Sequence, residues 1–129
     1  MNKNTIKILF LVCSLSMVLV LAGCHKKIHI NEVSFKGDTA YYQQKPFDGE
    51  VWTEDDETGF FKIEKGILKS LKFYHRNGKD AATMVLEDGK STAHFFDDEG
   101  KEISMSAFQT QYIDIWFNMA MVQGELMAQ

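Results

Sequence analysis

The chain has 129 residues, of which 45% are apolar and 25% are charged, and its formal net charge is −4. This length favours one domain, and the composition argues against collagen-like, disordered and multi-span membrane proteins. Because the chain is acidic rather than basic, nucleic acid is not an expected partner.

The first residues have the layout of a bacterial export signal. Lys3 and Lys7 precede residues 8–22, a segment that carries no charge and is too short to span a bilayer as a helix. The sequence Leu-Ala-Gly-Cys at residues 21–24 resembles the lipobox of bacterial lipoproteins. That resemblance implies cleavage before Cys24 and acylation of this cysteine with a diacylglycerol. An uncleaved N-terminal anchor with an incidental cysteine is the alternative.

Cleavage would change the chemistry of the mature chain. Loss of Lys3 and Lys7 takes the formal net charge from −4 to −6. Cys13 would be removed and Cys24 acylated, so no thiol would remain for catalysis, metal binding or a disulfide. Two or more acyl chains anchor a protein firmly. We therefore expect a cell-envelope lipoprotein held in the outer membrane at Cys24, facing the periplasm or, alternatively, exposed at the surface.

Glycine-containing turns divide residues 28–103 into short segments. Asn, Asp or Glu precedes Gly78, Gly89 and Gly100, and such pairs favour tight hairpin turns because the central positions need a positive φ. The intervening segments are rich in β-branched and aromatic residues. This spacing predicts a mainly β fold, an antiparallel meander of stacked hairpins. Residues 28–35 and 40–42 are expected to form its first hairpin.

An internal repeat supports the hairpin array. Residues 73–79 match residues 95–101 at an offset of 22, and each copy has two aromatics before a glycine turn. This pattern resembles the variant MORN repeat, and residues 45–51 are similar to the opening of YwqK-like antitoxin proteins. The resemblance covers roughly residues 33–103. It implies an elongated antiparallel meander without catalytic residues, although residues 54–58 form an insertion and the C-terminal tail lies outside the repeats.

The tail, residues 104–129, changes to a helical period. Its apolar residues recur at steps of three and four: Phe108, Tyr112, Ile115, Trp116, Met119, Val122 and Leu126. One amphipathic helix is predicted from about residue 104 to 123, with Ser106 and Gln109 as a capping box. Ile113, Phe117, Ala120 and Met121 are expected to widen its apolar face. The helix either covers the sheet or binds a partner.

The predicted organisation has four parts. Residues 1–23 form the signal peptide and residues 24–32 the lipidated tether with the start of the first strand. Residues 33–103 form the hairpin-repeat domain, and residues 104–129 form the helix packed on the sheet.

No catalytic chemistry is indicated. His75 and His94 could approach Asp97 or Asp98 across a hairpin, but the local spacing typical of a zinc site is missing. Residues 54–57 are all acidic, yet they lack the ligand order of a calcium loop. Nucleophile, phosphate-binding and dinucleotide motifs are also missing. We therefore predict no enzyme activity, no cofactor and no metal site.

Adjacent aromatic residues indicate a second, exposed row of rings. Neighbouring residues of a strand point to opposite faces of a sheet, so only one member of each pair can enter the core. The predicted binding residues are Tyr42, Trp52, Tyr74 and Phe96. The alternative is that these rings pack on cross-strand neighbours and lysine stems.

These observations predict a lipid-anchored, non-catalytic binding or scaffold module. Its expected partners are the membrane, through Cys24, and an unidentified envelope protein. The alternative is an antitoxin-like immunity or inhibitor protein, acting in the envelope against a basic toxin or hydrolase. An acidic domain would steer a basic partner toward it, and salt would weaken that effect.

Overall fold

The computed structural model describes residues 26–128 of the chain. Cys24, Cys13 and the predicted signal peptide therefore lie outside the described residues. The strands are β1 (Lys26–His29), β2 (Ser34–Lys36), β3 (Thr39–Tyr42), β4 (Lys45–Pro46), β5 (Gly49–Trp52), β6 (Gly59–Glu64), β7 (Ile67–Tyr74), β8 (Asp80–Glu87), β9 (Lys90–Phe96) and β10 (Glu102–Ile103). The helices are a 3₁₀ turn (Ile30–Glu32), α1 (Met105–Gln111) and α2 (Ile113–Met127). The mainly β prediction with a C-terminal helical tail is confirmed.

Seven strands form one large sheet in the order β1-β5-β6-β7-β8-β9-β10. From β5 onward each strand pairs antiparallel with the next one in the chain, which is the expected meander. Two of its hairpins turn through residue pairs with positive φ, Lys65 with Gly66 and Asp88 with Gly89. Such turns match the right-handed twist of the flanking strands.

The first strand departs from the prediction. Instead of forming a hairpin with residues 40–42, β1 pairs in parallel with β5, and His29 lies opposite Trp52. The 3₁₀ turn then redirects the chain, so that only β2 and β3 form the first hairpin. Burial of Ile28 and Ile30 in the main core favours this arrangement, since a free hairpin would expose them.

A small sheet of β2, β3 and β4 closes one end of the large sheet. The amide of Ala40 donates to the carbonyl of Gly66 at 2.7 Å, and the amide of Gly66 donates to the carbonyl of Phe47 at 2.8 Å. At the other end of β3, Tyr42 lies beneath the Lys26 ammonium. The small sheet thus spans from the β6–β7 turn to the start of β1. We call the end of the large sheet that carries the small sheet the entry end. The opposite end, where β5, β7 and β9 finish, is the far end.

The helices cover one face of the large sheet, which we call the core face. Phe108 of α1 is 0% exposed, and Met119, Val122 and Leu126 of α2 are also buried in the main hydrophobic cluster. Trp116 is only half-buried, with its ring centroid 6.0 Å from that of Phe95. The helical tail therefore packs on the core face through a narrow stripe of residues.

The single predicted helix is divided at Tyr112. Its backbone (φ −127°, ψ 49°) leaves the helical region between α1 and α2. The N-cap is Ser104 rather than Ser106, because the Ser104 hydroxyl accepts the amide of Ala107 at 3.1 Å. In the described part of the chain, no helix is long and apolar enough to cross a bilayer.

Three of the residues that widen the apolar face of the tail do not enter the core. Ile113, Phe117 and Met121 are 55%, 61% and 72% exposed. These residues recur at steps of four and share one side of α2, whereas α2 enters the hydrophobic cluster through Met119, Val122 and Leu126 on another side. One flat sheet face can cover only part of a helix circumference, so this side remains outside.

Candidate binding cleft at the far end

Three aromatic rings gather on the open face of the sheet, opposite the helices. Trp52 and Phe60 face each other across β5 and β6, with ring centroids 4.7 Å apart and planes 24° apart. Tyr74 of β7 lies nearly parallel to Trp52 at 6.3 Å. All three are half-buried. We call Trp52, Phe60 and Tyr74 the aromatic cluster.

Strand alternation produces this cluster. The neighbouring residues Val51, Phe61 and Phe73 are 0–1% exposed on the core face. Their partners in sequence must then point to the other face, as the adjacent aromatic pairs indicated. Direct ring stacking also agrees with the alternative prediction of cross-strand packing, since each ring covers part of its neighbour.

A cleft of about 760 Å³ opens beside the cluster at the far end. Trp52 and Tyr74 contribute its aromatic wall. Residues 55–58 of the β5–β6 loop and residues 75–78 of the β7–β8 turn form two further sides. Helix α2 closes the cleft with Asp114, Ile115 and Asn118. Three separate parts of the fold therefore meet in one concave surface.

The β5–β6 loop is braced from within by Asp55. Partial burial raises the pKa of its carboxyl group, but hydrogen bonds from Thr58, Glu57 and Thr53 outweigh this effect and lower the pKa well below its usual range. The Thr53 hydroxyl donates to this carboxylate at 2.7 Å, and the amide of Thr58 donates to it at 3.0 Å. Asp55 is therefore an ionised structural group that fixes the shape of the loop.

Asp56 connects the same loop to β1. Its carboxylate lies 3.1 Å from the Lys27 ammonium and 2.7 Å from Nε2 of His29. The Lys27 ammonium also lies 4.5 Å from the centroid of the Trp52 ring, a cation–π contact. The parallel pairing of β1 with β5 thus places a positive charge at the border of the aromatic cluster.

The His29–Asp56 pair should be visible in a titration. The hydrogen bond to Asp56 raises the pKa of His29 above its usual 6.5, and the same contact lowers the pKa of Asp56. Because the folded-state pKa of His29 is raised, this pair stabilises the folded protein fully at pH values below the unfolded-state pKa. The stabilisation is lost as pH rises through the folded-state pKa. We expect NMR to give His29 a pKa above 6.5, and Asp56→Asn to return it toward that value. An unchanged pKa in the variant would contradict the pair.

The cleft is acidic overall. Asp55, Asp56, Glu57 and Asp114 line it, against Arg76 and the Lys27 ammonium that pairs with Asp56. The Arg76 guanidinium lies 4.0 Å from Asp114, and its side chain is 95% exposed, so this contact is a weak surface pair. A cleft with carboxylates beside half-exposed rings suits a ligand that carries positive charge on an apolar stem.

The four binding residues predicted from sequence do not form one site. Trp52 and Tyr74 come together in the aromatic cluster and line the cleft. Tyr42 lies on the small sheet at the entry end, edge-on to Phe47. Phe96 lies on β9 opposite Glu102, and β8 separates its strand from the cluster.

The structure separates the histidines weighed for zinc. His75 is buried, its Nε2 lies 2.8 Å from the carbonyl oxygen of Phe96, and its ring packs against Tyr112. His94 is exposed on the open face, with Nδ1 2.5 Å from a carboxylate oxygen of Glu102. Within residues 26–128, no three potential metal ligands are grouped to hold an ion.

Sequence reasoning missed several parts of the site. Phe60 and Phe61 are adjacent aromatics in the sequence, but nothing in the sequence places Phe60 against Trp52, on which it stacks. Lys27 and Asp114 reach the site through the parallel pairing of β1 and the path of α2. Neither of these long-range arrangements has a local sequence signal.

Comparisons with protein-family models, curated proteins and solved structures found no match to this chain. The resemblance to variant MORN repeats therefore remains an interpretation of the sequence.

Proposed function

We propose that this protein is a lipid-anchored, non-catalytic binding module of the cell envelope, which binds a basic segment of a partner protein in the far-end cleft. The observation that carries this proposal is the meeting of the Trp52 and Tyr74 rings with four carboxylates in one concave surface. Aromatic side chains in concave, partly desolvated surfaces frequently dominate binding energy. Carboxylates around them favour lysine or arginine over acidic partners.

The charge of the far end supports the same partner. Residues 54–57 carry four carboxylates without an intervening base, and residues 97–99 of the β9–β10 turn carry three more. Clustered charge of one sign accelerates the encounter with an oppositely charged partner and loses its effect as salt increases. We expect the affinity for the partner to fall as ionic strength rises.

An envelope immunity or inhibitor protein against a basic toxin or hydrolase is the second candidate. The same acidic cleft favours it, because covering basic groups near an active site would block that site. The two candidates differ in one result. A stoichiometric complex that abolishes the partner's activity supports the inhibitor, whereas an unchanged activity supports the binding or scaffold module.

Site-specific photocrosslinking in cells tests the cleft. A photoreactive residue at Asn118, which lines the cleft, should capture a defined partner. The same residue at Thr92, exposed on β9 outside the cleft, serves as the control and should not capture it. Identical products from both positions would contradict the cleft as the binding site.

Replacement of Trp52 by alanine should then weaken binding of the captured partner. We expect a loss of about 2 kcal/mol, roughly 30-fold in Kd, which is typical of a central aromatic contact. Isothermal titration with the purified partner measures the change. Thr92→Ala, on the same face, should leave Kd unchanged, and thermal melts of both variants establish that they are folded. An equal Kd for Trp52→Ala and wild type would exclude the aromatic cluster from the interface.

The anchor is tested separately. We expect Cys24→Ala to abolish incorporation of labelled fatty acid and to leave the precursor uncleaved, because the motif places both reactions at this residue. Gel mobility and a radiolabelled palmitate assay measure the two effects. Continued acylation of a normally processed variant would remove the lipoprotein proposal.

A further inference from the structure

The anchor and the folded domain are separated by very little chain. Lys26 is the first residue of β1, and only His25 stands between it and Cys24. Two extended residues span about 7 Å. If Cys24 is acylated, as the proposed function requires, the entry end must lie against the lipid headgroups. The far end is then held away from them by the length of the strands.

The surface at the entry end has the composition of a membrane interface. The Lys26 ammonium lies 5.6 Å from the centroid of the Tyr42 ring, and the Lys36 ammonium lies 5.6 Å from that of Tyr41. Lys45 pairs with Tyr42 across β3 and β4 and is exposed. Tyr42 and Lys45 share one face of the small sheet, whereas Tyr41 and Lys36 lie on the other face. We call Lys26, Tyr42 and Lys45 the entry surface. Tyrosine is enriched at the headgroup level of membranes, and lysine extends its ammonium toward phosphates.

The distribution of charge favours the same orientation. Lys26 and Lys45 give the entry surface two exposed positive charges, and Asp48 is the acid closest to Lys45 in the sequence. Asp48 is engaged by the amide of Lys65 at 2.6 Å. The far end carries the acidic loops. An anionic bilayer therefore attracts the entry surface and repels the acidic loops of the far end, within a Debye length of about 8 Å.

We propose that the entry surface docks on an anionic phospholipid bilayer. Strand β1 then runs away from the membrane, starting at Lys26, and the far-end cleft opens toward the periplasm or the medium. The occupant of this surface is the lipid headgroup layer. The inference rests on acylation of Cys24, and it goes beyond anchoring because it fixes which side of the domain faces the membrane.

Fluorescence quenching in vesicles tests the orientation. The mature lipoprotein would have no free thiol, so Gln44→Cys, at the entry end, and Glu99→Cys, at the far end, can each carry one environment-sensitive fluorophore. The acylated proteins are reconstituted in vesicles containing phosphatidylglycerol and nitroxide-headgroup lipid. We expect the label at residue 44 to be quenched several-fold more than the label at residue 99. Equal quenching would overturn the docking proposal.

Two further measurements separate the contributions. Flotation with the vesicles reports the anchor alone. Flotation with equal quenching refutes docking but leaves the proposed function intact, and loss of flotation refutes both. The double variant Lys26→Gln and Lys45→Gln should reduce quenching at residue 44, and unchanged quenching would overturn the role of the lysines. A label at residue 44 that is shielded from aqueous iodide but not quenched by the nitroxide lipid would also overturn docking, because it would mean that a protein covers this surface.

Discussion

Replacement of Phe108 by alanine is expected to lower the free energy of unfolding by about 3–5 kcal/mol, the usual cost of deleting a buried phenylalanine ring. Phe108 is 0% exposed. Its ring centroid lies 5.1 Å from that of Phe95 and 5.5 Å from that of Tyr112, so it joins α1 both to the sheet and to the break before α2. Urea unfolding followed by far-UV circular dichroism measures the loss.

Phe117→Ala is the matched control for this experiment. Phe117 has the same side chain on α2 but is 61% exposed, so its removal should change stability by less than about 0.5 kcal/mol. Trp116→Ala should fall between the two, because Trp116 is half-buried against Phe95. If Phe108→Ala and Phe117→Ala unfold at the same urea concentration, the helical tail does not pack on the sheet as described.

Gly49→Ala is the second variant with a large expected effect. A Cβ at this position would lie 2.1 Å from the carbonyl oxygen of Lys26 and 2.9 Å from the Phe47 ring. The backbone there has φ +143°, which side chains other than glycine rarely adopt. Backbone strain costs about 1–3 kcal/mol and overpacking about 1–3 more. We expect β1 to separate from β5, with a loss of about 3 kcal/mol.

Gly89→Ala is the control that separates backbone strain from a steric clash of the added Cβ. Gly89 also has a positive φ, +74°, but nothing lies within 4 Å of the added Cβ. Its substitution should therefore cost only about 1–2 kcal/mol. Hydrogen exchange adds a local measurement, because amides of β1 should lose protection in Gly49→Ala and keep it in Gly89→Ala. Equal losses of stability and protection in the two variants would contradict the close approach of β1 to β5.

The parts of the fold that sequence predicted are those with local causes. The β8–β9 hairpin follows from Asp88-Gly89, and the open-face rings follow from alternation within single strands. The parallel pairing of β1 could not be predicted, because it joins residues separated by the whole small sheet. The division of the helix at Tyr112 could not be predicted either, because the apolar residues keep their helical spacing across the break.

The candidate site divides in the same way. Trp52 and Tyr74 could be nominated from sequence because each sits beside a residue that the core requires. Their stacking needed the strand register, and the acidic wall from Asp114 needed the path of α2 across the far end. Phe96 also follows a core residue, but its strand, β9, is separated from the aromatic cluster by β8.

The parallel pairing of β1 with β5 has a mechanical consequence. The chain enters β1 at Lys26, and the cleft loop leaves β5 after Trp52, at the opposite end of the paired strands. If the proposed anchor at Cys24 and the proposed partner in the cleft pull against each other, the tension acts along the two strands in opposite directions. Their hydrogen bonds would share that load in shear instead of opening one after another. The ion pairs of Asp56 with Lys27 and His29 add a further link between the β5–β6 loop and β1.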